Sequence, residues 1–349
     1  MASLTSYNNL HRFAVVTAVA TFVLIFAGGL VTSTQSGLSV PDWPTTYGHF
    51  MFAYPLDQMV GGIFYEHSHR MIATTVGFLT VVLALWLWKR EDRRWMKTLG
   101  VVALTSVITQ GILGGLTVKY LLPTPISVSH ATLAQTFFVI VSAIALFTSK
   151  WWRGDVPALA DNGSPRLMTL AMLAVGAVYV QLILGAIMRH SQAGLAVPDV
   201  PLAYGQLFPS LSPEAVGRYN AALRDADIRI AADDPVTASQ IVIHMAHRVW
   251  AMITATMVIW FSVRLFRLSS ASKRFALLGA SQIFLVLLQI SLGVFTVLSR
   301  KAVDVTTLHV ATGALILVIT SMSLLHAAKL FGVEFARSRA ILQPRGATT

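Results

Sequence analysis

Gly37-Leu38-Ser39-Val40-Pro41-Asp42-Trp43-Pro44 returns 157 residues later as Gly194-Leu195-Ala196-Val197-Pro198-Asp199-Val200-Pro201, and both stretches run on to a Tyr-Gly pair, Tyr47-Gly48 and Tyr204-Gly205. Further pairs fall into step on the C-terminal side of each octapeptide. His69-Arg70 recurs as His247-Arg248, Gln110-Gly111-Ile112-Leu113-Gly114 as Gln289-Ile290-Ser291-Leu292-Gly293, and His130-Ala131-Thr132 loosely as His309-Val310-Ala311-Thr312. These later pairs are spaced by 178 and 179 residues, so one insertion of about 21 residues separates two otherwise parallel copies. In an apolar chain, two such copies read as two related helix bundles.

The composition is that of a membrane protein. The 349 residues are 55% hydrophobic and only 12% charged, with a mean hydropathy of +0.67. A soluble domain carries about 25% charged residues. Eight apolar runs, near 13–33, 67–88, 98–118, 127–149, 167–188, 239–263, 275–298 and 305–328, each approach the ~20 residues that cross a bilayer core. The first is too long for a secretory signal core and leads directly into the repeated loop, so it reads as a spanning helix. The expected fold is an all-α membrane protein whose eight transmembrane helices form two repeated four-helix bundles, residues 13–150 and 166–330. A linker, 151–165, joins them, and short polar tails flank them.

The net charge of +11 is a topology signal and not a nucleic-acid footprint. Lys89, Arg90, Arg93, Arg94 and Lys97 fill the second connection, Lys150, Arg153 and Arg166 the fourth, and Arg264, Arg267, Lys273 and Arg274 the sixth. Lys329, Arg337, Arg339 and Arg345 follow the last helix, and the first connection has no Lys or Arg. The positive-inside rule then puts both termini and the even connections in the cytoplasm and the odd connections outside, with Arg300 and Lys301 as exceptions in a short outer turn. The chain has no cysteine, which excludes disulfides, thiolate-bound clusters and Cys-based zinc sites.

The insertion falls near 210–236, before the sixth helix. Ser212 followed by Pro213 is a helix start, and a short amphipathic surface helix is expected there, read as a solvated loop helix without chemistry. The two Gly-Leu-x-Val-Pro-Asp loops, stiffened by proline, lie on the outer side. They either cap a ligand pocket or merely close a hairpin.

His69, His130, His247 and His309 all lie a few residues inside the outer ends of even-numbered helices. Ionisable residues inside a membrane are costly and usually functional, and four at repeat-related positions are hard to explain as packing. They pair economically as His69 with His130 and His247 with His309, one pair in each bundle, since bundle cores build cofactor sites from facing helices. Two neutral imidazoles suit the axial positions of a haem iron, whereas zinc or copper wants more ligands than these sites offer. Arg70 and Arg248 follow two of the histidines. They read as partners of haem propionates, with snorkelling toward lipid headgroups as the alternative.

The copies differ at one position. Glu66 stands three residues before His69, on the same helical face, and its counterpart is His244. A carboxylate beside a haem edge accepts protons or steadies positive charge, so Glu66 is the candidate catalytic residue and the first half the one that does chemistry. The bland alternatives are that Glu66 only pairs with Arg70 and that His244 lies at the surface. Gln110 and Gln289 are expected to hydrogen-bond across helices beside glycines that allow close packing. His67 is given no role, and His11, His49, His190 and His326, which lack repeat partners, read as structural.

At this point the residues resemble a known family. Glu66-His67-Ser68-His69-Arg70, with His130, His247-Arg248 and His309 on successive even helices of a duplicated eight-helix chain, looks like haem A synthase. The likeness runs over about 13–330. It implies oxidation of the position-8 methyl of haem O to the formyl group of haem A. It further implies a haem b cofactor on His247 and His309, substrate haem O near His69 and His130, and Glu66 important for turnover. Haem O synthase and oxidase assembly factors are the implied partners in the cytoplasmic membrane, and the electron donor is not specified. Some members carry paired cysteines in the outer loops, and this chain has none. The rival readings are a di-haem electron-transfer protein of the quinol–cytochrome type and a repeat-built transporter with histidine proton relays.

Overall fold

The computed structural model describes residues 4–156, 159, 161, 163–228, 235–270 and 273–341, with side chains described within 8–331. Eight long helices carry the fold: α1 Leu4–Ser33, α2 Gly61–Arg90, α3 Arg94–Lys119, α4 Thr124–Thr148, α5 Leu167–His190, α6 Ala238–Arg267, α7 Lys273–Leu298 and α8 Val303–Ile341. All eight contain a stretch long and apolar enough to cross a membrane, as the sequence requires of a multi-pass membrane protein. Several start earlier than the apolar runs suggest. The first turns of α2 lead up to Glu66, whose charge cut the run short although the backbone is already helical.

Each half closes on itself. In the first, α1 packs on α2, α2 on α3, α3 on α4 and α4 back on α1, and α5 to α8 repeat that ring. The halves meet along α1–α8, α4–α5 and α4–α8. Exchanging α1 with α5 and α4 with α8 leaves these contacts unchanged, which is the signature of an approximate two-fold axis between repeats. The helices beside that axis are the most enclosed: 50% of the apolar window of α4 and 56% of that of α8 is buried, against 22–33% in the other six. His130 and His309 therefore ride on the two central helices.

Between helices in lipid, close packing replaces the hydrophobic effect, so small residues decide where backbones approach. A Cβ on Gly100 would stand 3.0 Å from Leu87 Cδ1, and one on its counterpart Gly279 would stand 2.7 Å from the Ser262 carbonyl oxygen. The α2–α3 and α6–α7 crossings are thus held close in the same way. Phe137, Phe138 and Ile144 fill the first core; Leu170, Phe261 and Leu317 fill the second.

The expected insertion helix forms over Pro213–Asp225, with the Ser212 hydroxyl accepting from Ala215 N at 3.2 Å. It is not simply solvated. Ala215, Tyr219 and Leu223 are buried, and Tyr219 stacks on Tyr204 at 3.8 Å with the rings 7° apart. One face of this helix is a lid on the second outer loop. Residues 229–234 of the insertion, Asp233 and Asp234 included, lie outside the described residues.

Candidate functional site

Each repeated octapeptide winds around its aspartate. The Asp42 carboxylate accepts from Tyr47 N at 2.7 Å and Gly48 N at 2.9 Å, and Asp199 accepts from Tyr204 N and Gly205 N at the same distances. Burial works to raise the Asp42 pKa, but hydrogen bonds from Gly48, Thr45 and Tyr47 outweigh it and hold it at about 2. The turn needs two residues in the left-handed region, Tyr47 (φ 48°) with Gly48 (76°) and Tyr204 (53°) with Gly205 (75°). Glycine adopts that region without cost, whereas the tyrosine is kept there by its hydroxyl, which donates to Ser39 O or Ala196 O at 2.7 Å.

The arginines after the helix-borne histidines tie these loops down. Arg70 donates to Val40 O at 2.8 Å, Asp42 O at 2.6 Å and Thr45 O at 3.0 Å; Arg248 donates to Val197 O and Leu202 O, both at 3.0 Å. The groups read from sequence as propionate partners thus direct these N–H bonds at loop carbonyls. The loops are fastened to the helices that bear His69 and His247.

Glu66 is 3% exposed, with one oxygen 2.6 Å from Arg70 Nη2 and the other accepting from Val40 N at 2.8 Å. The pairing with Arg70 weighed at the sequence level is therefore present, and it is buried. His244 is not at the surface: it is 2% exposed and its Nδ1 lies 3.0 Å from Ala193 O. The two residues occupy one register and both brace the loop, but only the first half has a carboxylate there. His67 is buried against Thr46 Oγ1 at 2.9 Å. His11 and His326 bond backbone carbonyls, at 2.9 Å and 2.8 Å, as structural histidines do.

Four glycines, two of them not singled out in the sequence, position the four histidines. A Cβ on Gly28 would stand 3.1 Å from His69 Cε1, on Gly114 3.3 Å from His130 Cε1, on Gly185 3.1 Å from His247 Cε1 and on Gly293 3.2 Å from His309 Cε1. Each odd helix thus carries one glycine that seats the imidazole of the helix after it. Gly28 and Gly185 are 157 residues apart, the spacing of the loops themselves. Glutamines four residues earlier reach three of the four: Gln110 Nε2 to His130 O at 2.9 Å, Gln181 Nε2 to His247 O at 3.2 Å, and Gln289 Nε2 to His309 Nε2 at 3.4 Å. The fourth place belongs to Leu24.

His69 lies within electrostatic reach of His130 and His247 of His309; His130 is also within reach of His190, and His247 of His244. All four are half-buried, and Nδ1 of His69, His130 and His309 has no side-chain partner; those three rings lie against the backbone of Leu24, Gln110 and Gln289, one turn before their glycines. Among the described residues no cluster of three or more His, Asp or Glu side chains is arranged to hold a metal ion. Two imidazoles per half, each seated on a glycine, offer a donor set that would suit a haem iron better than a zinc ion, which wants more ligands.

Comparison with known proteins adds to this geometry. The model of the COX15-CtaA family, described as cytochrome oxidase assembly protein, matches residues 11–321. A "Heme A synthase" of Novosphingobium aromaticivorans is 26% identical over 349 aligned residues, covering 90% of this chain and 93% of its own. One from Shewanella oneidensis is 27% identical, covering 86% and 92%. One from Halalkalibacterium halodurans is 29% identical, over 59% of this chain and 68% of its own.

Proposed function

The chain belongs to the COX15-CtaA family of cytochrome oxidase assembly proteins, and from that membership and the geometry of its histidines we propose that it is a haem A synthase. In this reading haem O is the substrate and lies in the first half between His69 and His130. Its position-8 methyl group is oxidised to a formyl group, a four-electron change that takes up one oxygen atom. Haem b is the resident cofactor, held by His247 and His309, and supplies one-electron redox chemistry when bound.

The observation that carries this assignment is the asymmetry between two halves whose helices pack in the same order. The first half has Glu66 beside its histidine-bearing face, and its loop is open: Trp43 is 51% and Tyr47 48% exposed. In the second half a histidine replaces the carboxylate, and Tyr204 is half-buried beneath Tyr219 of the insertion helix. An open cap suits a ligand that comes and goes, and a sealed cap one that stays. The histidines hold and orient each macrocycle, the loops exclude water from it, and Glu66 takes up protons at the edge of the substrate. Full-length protein expressed in a host that makes haem O but lacks its own enzyme should yield haem A, read by chromatography and mass of extracted haems. Two equivalent haems and no formylated product would instead establish an electron carrier.

The glycine seats give a second expected result. Gly185→Leu should push the His247 ring out of place and lower haem content several-fold. Gly176→Leu on the same helix, where a Cβ meets nothing within 4 Å, should leave it unchanged. Equal haem content in both variants would show that the close approach does not position the ligand.

The distribution of Lys and Arg supports a cytoplasmic membrane location with both termini inside and both histidine pairs toward the outer face. A reporter fused after Arg337 should be active only in the cytoplasm and one inserted near Asp225 only outside. The reverse pattern would overturn the orientation.

A further inference from the structure

Of the Lys and Arg side chains at the outer helix ends that run against the charge rule, Arg189 and Lys301 are drawn toward each other by the fold, with His190 beside them. Arg189 and His190 end α5, and Lys301 lies in the turn between α7 and α8. Arg189 donates to Gly29 O at 3.1 Å and Ser33 Oγ at 2.7 Å on α1, and the Thr307 hydroxyl of α8 donates to the same Ser33 Oγ at 3.0 Å. This fixes the guanidinium in the seam between the halves, two residues from the helical position of His309. Its charge reaches both the His309 ring and Lys301.

Arg189 and Lys301 are half-buried, and among the described residues neither pairs with a carboxylate. Burial, with the Arg189 charge beside it, pulls the Lys301 pKa down. Their neighbour Arg300 behaves differently. It turns outward and donates to Ala226 O at 3.1 Å and Asp227 O at 3.2 Å, beside the insertion helix.

The repeat shows that these cations belong to one half. In the register of the loops Arg189 replaces Thr32, and in the register of the last histidines Lys301 replaces Leu122. The backbone is the same in both copies: φ is 59° at Leu122 and 67° at Lys301. A Cβ on Gly37 would meet Leu122 Cδ1 at 3.4 Å, and one on Gly194 would meet Lys301 Cδ at 3.6 Å. The lysine stem thus lies where the leucine lies, with an ammonium added beyond it. Adjacent, half-buried like charges repel and are poorly solvated, so they persist where an anion compensates them.

We propose that Arg189 and Lys301 form a carboxylate-binding site at the outer end of the second half, holding the propionates of the haem ligated by His247 and His309. The site rests on the haem reading above and extends it to residues that no sequence motif marks. The guanidinium fork suits a planar carboxylate, and the ammonium adds a second point charge. A lipid phosphate would approach from the headgroup layer, whereas Arg189 is anchored in the protein seam. The first half has no such pair, so a substrate there is held by fewer charges and leaves more easily.

The test loads haem-depleted, full-length protein in neutral detergent with haem b or with its dimethyl ester, in which both carboxylates are blocked, and reads haem retained per protein and midpoint potential. The free acid should be retained at least ~10-fold better than the diester by the wild type, given the strength of charge-assisted bonds. Arg189→Gln with Lys301→Gln should abolish that preference and lower the midpoint potential, because nearby positive charge favours the reduced iron. Arg300→Gln, which removes an adjacent charge of the same sign, should change neither. The proposal is overturned if the double variant keeps the wild-type preference, if Arg248→Gln abolishes it instead, or if it arises only when phosphatidylglycerol is added. Wild-type protein that binds both forms equally overturns this site alone, and wild-type protein that binds neither overturns the haem reading with it.

Discussion

Alanine in place of His247 or His309 is expected to strip the second half of its haem, while alanine in place of His69 or His130 leaves that haem in place and abolishes haem A formation. The fold keeps the two consequences separate. Each pair lies inside its own ring of four helices, and each ring is held by its own seats, Gly185 and Gly293 in one, Gly28 and Gly114 in the other. Removal of an outer partner alone weakens metal sites ~10–100-fold, so loss of an axial imidazole should lower haem per protein by at least ~10-fold. Among the described residues no group of three or more His, Asp or Glu side chains could hold a metal ion, and the nearby His244 is engaged with Ala193 O. Absorbance of the purified variants with pyridine haemochrome quantitation gives the haem content, and extracted haems give the product. Equal haem loss from both sets of variants would point to two equivalent haems and an electron carrier.

Helix number was legible because apolar length is a strong signal; the repeated octapeptide and the ionisable residues in register are what the proposed halves and histidine pairs rest on. The seats at Gly28 and Gly185 were overlooked although the repeat contains them, because a glycine in an apolar helix has no chemical signature until its neighbour is known. Gln181 was missed for a related reason, since its counterpart is Leu24 and the repeat is broken there. The pairing of Arg70 with Glu66 was among the readings weighed, but the loop carbonyls that both arginines reach were not legible. A guanidinium that reaches a loop carbonyl and one that reaches a carboxylate look alike in sequence. Only the folded loop, turned back over α2 and α6, shows that Val40 O and Val197 O lie within reach. Lys301 read only as an exception to a charge rule, and Arg189 was not singled out, because the seam that joins them exists only in three dimensions.

Glu66→Gln is expected to reduce haem A formation at least ~100-fold, the lower end of what a positioned proton-transfer group contributes, with haem b content unchanged. The structure changes how that result must be read. A membrane-edge pair would cost ~1 kcal/mol to break, but Glu66 and Arg70 are 4% and 9% exposed at 2.6 Å. Removing one partner of a buried pair costs about 3–5 kcal/mol, so loss of function in the single variant would also follow from a loosened cap. Two features limit that cost here. The amide oxygen of glutamine still accepts from Val40 N, and Arg70 keeps its three loop carbonyls. The deciding comparison is the double variant Glu66→Gln with Arg70→Gln, which removes both charges and leaves no uncompensated cation. Arg70→Gln alone reports the cost of releasing the loop carbonyls that Arg70 holds. If the carboxylate only balances Arg70, the double variant should make as much haem A as Arg70→Gln alone. If the carboxylate handles protons, the double variant should fall well below Arg70→Gln, and Glu66→Asp, which keeps the charge, should retain measurable activity. A double variant equal to Arg70→Gln, or near-normal haem A from Glu66→Gln alone, would leave Glu66 as a brace of the first loop, and the asymmetry between the halves would then need another cause.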